Sequence, residues 1–116
     1  MGSALFTARK MSLQTQVNNY NAQLSQLSNQ ETQLTNQKAA QQQQMNLFNQ
    51  QQGANGQESA YSMQNQQQQQ LNLKQNQLDT EKQRLNTLLQ KATKELEGVE
   101  KAEEQAQKRE TAKYNA

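Results

Sequence analysis

Glu100, Glu103 and Glu104 form the closest run of carboxylates in this 116-residue chain, so acid–base or metal chemistry would have to begin there. General acid–base catalysis needs two carboxyls held in a pocket, in environments that push their proton affinities apart. Here Lys101 lies among them and Lys108 follows one turn later, a pattern typical of a solvated helix surface. The chain contains no histidine and no cysteine, which removes the usual ligands for zinc and most transition metals and excludes disulfides. No phosphate-binding glycine loop, nucleophile elbow or calcium loop is present. Basic residues are dispersed, the net charge is only +2, and aromatic residues are not interleaved with them. Nucleic-acid binding therefore has little support. The expectation is a protein that is not an enzyme, with no cofactor, metal, nucleic acid or small-molecule substrate.

Composition asks how such a chain folds at all. Only 31% of it is apolar and 4% aromatic, with a mean hydropathy of -1.27. That leaves little apolar surface to offset the entropy of ordering, and too little for a two-layer globular core. A long helix needs less, because its backbone hydrogen bonds close internally and a narrow apolar stripe suffices. The absence of proline removes the strongest helix breaker.

Glutamine and asparagine dominate, with 27 and 13 copies, and the runs 41–44, 50–52 and 66–70 resemble a disordered low-complexity tract. Periodicity opposes that reading. Steps of four and three from Phe6 meet Lys10, Leu13, Val17, Tyr20, Leu24, Leu27, Glu31, Leu34, Lys38, Gln41, Met45 and Phe48. Nine of these thirteen positions are large and apolar. A second seam starts at Tyr61 and carries Leu71, Leu78, Leu85, Leu89, Ala92, Leu96, Val99 and Ala106. Its middle is Gln-rich. Both are heptad seams.

Between them lies Gly53-Ala54-Asn55-Gly56, where Gly53, Asn55 and Gly56 tolerate the positive φ of a tight reversal. Gly98 stands alone inside the second seam and costs that helix about 1 kcal/mol. Folded at 53–56, the seams mirror each other: Phe48 and Tyr61, Leu24 and Leu85, Tyr20 and Leu89, Leu13 and Leu96 each have numbers adding to 109. Two unrelated heptad patterns agree in this way roughly one time in seven. The predicted fold is all-α: one long antiparallel two-helix hairpin of coiled-coil type. Helix one covers about 4–52, the turn 53–56 and helix two about 57–113. Arms of this size would be roughly 70–80 Å long. Polar seam residues Lys10, Glu31, Lys38, Lys82 and Glu103 are expected to set register and partner choice.

The face of helix one turned away from its partner points outward to function. It reads Ala4, Ala8, Met11, Thr15, Asn18, Ala22, Ser25, Asn29, Thr32, Asn36 and Ala39, all uncharged and mostly small, where a solvated coil carries Lys and Glu. Small residues permit close helix approach, and amide side chains can hydrogen-bond across an interface. By contrast, 16 of the 22 charged residues fall between Asp79 and Lys113. The expected partner is the chain itself, in a homo-oligomer or filament.

Two helices in about a hundred residues, joined at Gly53-Ala54-Asn55-Gly56, resemble the needle and filament subunits of type III secretion systems and the WXG100-type proteins of type VII secretion. The resemblance is one of plan: the turn lacks the needles' proline, and the chain has no Trp-x-Gly. It implies an exported, self-assembling subunit.

The first thirteen residues lack the order of a secretory signal, because Ala4, Leu5 and Phe6 precede Arg9 and Lys10. Met1-Gly2 is not followed by a myristoylation motif, since Phe6 stands where Ser or Thr is required. No stretch matches a membrane span. The expected location is cytoplasmic, or outside the cell by a leaderless route. The sequence thus predicts a self-assembling structural subunit of a filament or tube. The alternative is a coiled-coil adaptor or scaffold, cellular or viral, that binds another protein's helices. A hairpin hinged at 53–56 could also open into one continuous helix.

Overall fold

A computed structural model describes the backbone of residues 2–51 and 57–115 and the side chains of 4–50 and 61–114. All of that backbone is helical. Helix α1 spans Gly2–Gln51 and helix α2 spans Gln57–Asn115. The chain is an all-α, antiparallel two-helix hairpin. Both helices are longer than the heptad reading alone requires, by two residues at the start of α1 and two at the end of α2. The expected turn at Gly53, Asn55 and Gly56 lies outside the described residues.

Several local features let helices this polar persist. Glutamine is a good helix former, and nothing in the chain forces a kink. Thr15, Thr32, Thr35, Thr93 and Thr111 each donate a hydroxyl hydrogen bond to the carbonyl four residues earlier, at 2.8–3.0 Å. These hydroxyls are therefore satisfied inside their own helix rather than competing with it. Lys113 lies in the last turn of α2, where a cation suits the negative end of the helix dipole.

The described chain divides into two compact units. Unit 1 comprises Met1–Leu24 and Arg84–Ala116; unit 2 comprises Ser25–Gln83. In unit 1, Leu13 and Leu85 are fully buried and Ala92 nearly so. Phe6, Val17, Tyr20, Leu24, Leu88, Leu89, Leu96 and Val99 surround them, half-buried. Among the described residues of unit 2 only Leu27 and Leu34 are buried. Its remaining interhelical positions include Glu31, Lys38, Gln41, Gln64, Gln75 and Lys82 alongside Met45, Phe48, Leu71 and Leu78. Unit 1 is held by apolar packing, whereas unit 2 relies heavily on polar groups.

On α1 the thirteen positions of reduced exposure from Phe6 to Phe48 are the heptad positions of the first seam. On α2 the match is close with two exceptions. Gln68 is exposed, and Tyr61, expected in the seam opposite Phe48, is 46% exposed. Its seam neighbours on α2 are Gln64 and Gln68, which offer the ring no apolar wall, and a tyrosine tip favours water. Conversely Glu81, Leu88, Glu95 and Ala102 are half-buried beside the seam, one heptad apart.

Candidate interaction site: the polar seam and the glutamine groove

Three polar pairs of the seam share one offset. In unit 2, Lys82 Nζ lies 3.5 Å from Glu31 Oε2, and Lys38 Nζ donates to Gln75 Oε1 at 3.4 Å. In unit 1, Lys10 Nζ lies 2.7 Å from Glu103 Oε2. In all three pairs the residue numbers add to 113, four more than the 109 of directly opposed seam positions. In the heptad alignment Lys10, Glu31 and Lys38 each stand opposite an apolar residue of α2, and each reaches a polar partner one turn further along. Glu31 faces the level of Leu78, Lys38 that of Leu71 and Lys10 that of Val99. The partner of each in turn stands opposite a large apolar residue of α1: Leu27, Leu34 or Phe6. Apolar layers are thus kept continuous while the charges meet on a diagonal.

What such pairs can do follows from their exposure. The side chains of Lys82 and Glu31 are 45% and 25% exposed, so the pair contributes at most about 1 kcal/mol. Discrimination is its larger effect. Slipping one heptad in one direction would set Lys38 against Lys82, and slipping in the other would leave Glu31 facing Gln75. Glu103 Oε2 is shielded from solvent and makes no well-directed hydrogen bond, so its stabilisation is the charge contact with Lys10. Arg9 and Glu95 form a further bridge at 3.2 Å on the more exposed rim.

Unit 2 also carries an amide network. Gln41 Nε2 donates to the backbone carbonyl of Gln64 at 3.3 Å and to Gln67 Oε1 at 3.4 Å. Beside it the two helices leave a groove. One hollow of about 270 Å³ is lined by Gln30, Gln33, Leu34, Gln37, Lys74, Gln77 and Leu78. A second, of about 370 Å³, shares Gln37 and Lys74 with it and adds Gln44, Gln67, Gln70 and Leu71. A further hollow beside α2 is lined by Asn76, Gln77, Thr80 and Glu81. Leucine and amide side chains make up most of the lining of the first two hollows, together with Lys74.

A regularity in α1 explains the α1 wall of that groove. From Val17 to Met45 a glutamine stands immediately before every second seam residue: Gln16, Gln23, Gln30, Gln37 and Gln44, each seven residues from the next. The heptad reading overlooks this ladder because it follows apolar residues, yet the sevenfold spacing is plain in the sequence. Gln30, Gln37 and Gln44 are the rungs that reach the groove.

The uncharged outer face of α1 lies where the heptad geometry puts it. All eleven residues from Ala4 to Ala39 on that stripe are exposed. Thr15 and Thr32 within it have committed their hydroxyl protons to α1 itself, which lowers the polarity they offer outward. The sequence-derived seam and face residues are therefore segregated onto separate sides of α1. Among the described residues no group of three or more metal-ligating side chains is gathered, and no helix is long and apolar enough to cross a membrane. Comparison with protein-family models, curated proteins and solved structures finds no match.

Proposed function

We propose that this protein is a non-enzymatic structural subunit that assembles with copies of itself, through helix packing, into a filament or tube. The observation that carries the reading is the exposed stripe of α1 from Ala4 to Ala39, which has no charge along its length. Solvated helix faces are normally charged, and charge is what keeps them apart. Location outside the cell, as for the secretion-system subunits the plan resembles, belongs to this proposal.

The test is to place charge on the stripe. Ala22→Glu or Ser25→Lys is expected to abolish growth of filaments, followed by light scattering and negative-stain imaging, while circular dichroism keeps its helical signal. Filaments that form unchanged from these variants would overturn the reading. A second reading, an adaptor that binds another protein's helices, is favoured by the polar seam of unit 2, where Lys38, Gln41 and Gln75 occupy positions a partner's helix could complete. It predicts a discrete small oligomer at every concentration.

A further inference from the structure

We infer that unit 2 opens and recloses as a cooperative unit of its own while unit 1 stays closed, a conformational device in which unit 1 is the clasp. The inference concerns a single chain and holds whether or not copies of it assemble.

Three observations on unit 2 carry it. The first is the make-up of its seam. From Leu27 to Phe48 on α1 and from Tyr61 to Lys82 on α2, seven of the fourteen heptad positions are Glu, Lys or Gln. In unit 1 the same count is two of thirteen, Lys10 and Glu103. Burial of apolar surface is what chiefly holds two helices together, so the grip of unit 2 is weaker per turn.

The second is how incompletely the apolar residues of unit 2 are covered. Burial extends to Leu27 and Leu34 alone among its described residues, while Met45, Phe48, Leu71 and Leu78 are half-buried. Hollows of about 270, 370 and 290 Å³ open beside Leu34, Leu71 and Leu78. A leucine next to a hollow lacks contacts on that side, and less is lost when the helices part. Unit 1 is built the other way, with Leu13 and Leu85 fully withdrawn from water.

The third is the length of the polar contacts. Those that Glu31, Lys38 and Gln41 make across to α2 measure 3.3–3.5 Å, whereas Lys10 and Glu103 of unit 1 approach to 2.7 Å. Long, partly solvated contacts are exchanged for water at little cost. Regions with few buried apolar contacts open below the free energy of global unfolding, and they do so as contiguous units. Unit 2 meets that description and unit 1 does not.

Native-state hydrogen exchange tests the device, on the full chain kept dilute enough that light scattering detects no growth. Amides of 27–48 and 64–82 are expected to share one level of protection, at least about tenfold below that of 13–24 and 85–99. Leu34→Ala should speed exchange throughout unit 2 by at least about tenfold. Leu13→Ala should speed exchange in unit 1 and leave unit 2 unchanged, because unit 1 is intact in both the closed and the open form of unit 2. Lys38→Leu combined with Gln75→Leu replaces a polar pair with apolar residues beside Leu34 and Leu71. It should slow exchange in unit 2 by at least about tenfold, and as a stabilising change it decides the matter even where an alanine variant does not fold. Equal protection in the two units would overturn the inference. So would acceleration of unit 2 by Leu13→Ala as large as that of unit 1, or a leucine pair that leaves unit 2 as quick to exchange as before.

Discussion

Leu13 and Leu85 are the two side chains of the described chain withdrawn completely from water, and each stands in a row of heptad-spaced apolar neighbours. With so few buried side chains, the loss of one is a large fraction of the whole core. Leu13→Ala or Leu85→Ala should lower unfolding free energy by about 2–4 kcal/mol, read from the urea midpoint followed by circular dichroism. Met11→Ala and Leu47→Ala, at residues 67% and 57% exposed, serve as controls and should change it by less than about 0.5 kcal/mol. Equal losses at all four sites would show that burial does not order the energetics. The same contrast explains why Leu88 was missed and Tyr61 misplaced by periodicity. A heptad count ranks positions by spacing, whereas burial depends on whether the neighbouring residues are apolar enough to cover a side chain.

At the scale of one element, α2 carries an interior glycine. Gly98 has no positive φ, and a Cβ built on it meets nothing within 4 Å. The backbone conformation and the space both admit alanine, so the entropic cost of glycine in a helix is the whole effect. Gly98→Ala should stabilise the protein by about 1 kcal/mol, seen as a rise in the urea midpoint with unchanged slope. A destabilised variant would mean that close approach of another chain, rather than chance, keeps the position bare. The charge content of α2 also differs along its length, since residues 59–73 have no charged side chain and those from Asp79 onward have many. That division follows the change from amide seam to apolar seam between unit 2 and unit 1, and it is legible in the residues alone.

For the molecule as a pair of helices, register is the quantity the polar seam controls. Lys82→Glu should set like charges beside Glu31 and lower stability by about 1 kcal/mol or less, an upper value reduced by solvent screening. Combining it with Glu31→Lys should restore most of the loss, as a double-mutant cycle in urea would report. A double exchange no better than the single would show that the two side chains do not sense each other. The small energy decides how the pair is understood. One heptad slip leaves the apolar seam nearly as well packed, so even a fraction of a kcal/mol per pair, repeated along the helices, selects one alignment.

Fold class, helix content and the first seam were all determined by the sequence. The reason is that each rests on a period of 3.5 residues and on the absence of breakers, which are local properties of the chain. The uncharged stripe of α1 was equally legible, because a helix face is fixed by spacing once the helix is granted. The tertiary structure alone decided that Lys10, Glu31 and Lys38 pair diagonally with Glu103, Lys82 and Gln75. That stagger arises because a lysine or glutamate is longer than the gap across the seam and must run along the helix to meet its partner. It decided as well that Gln30, Gln37, Lys74 and Gln77 share one groove. Their meeting depends on which sides of two antiparallel helices face each other, a relation between residues up to 47 positions apart, from Gln30 to Gln77, that no local period encodes.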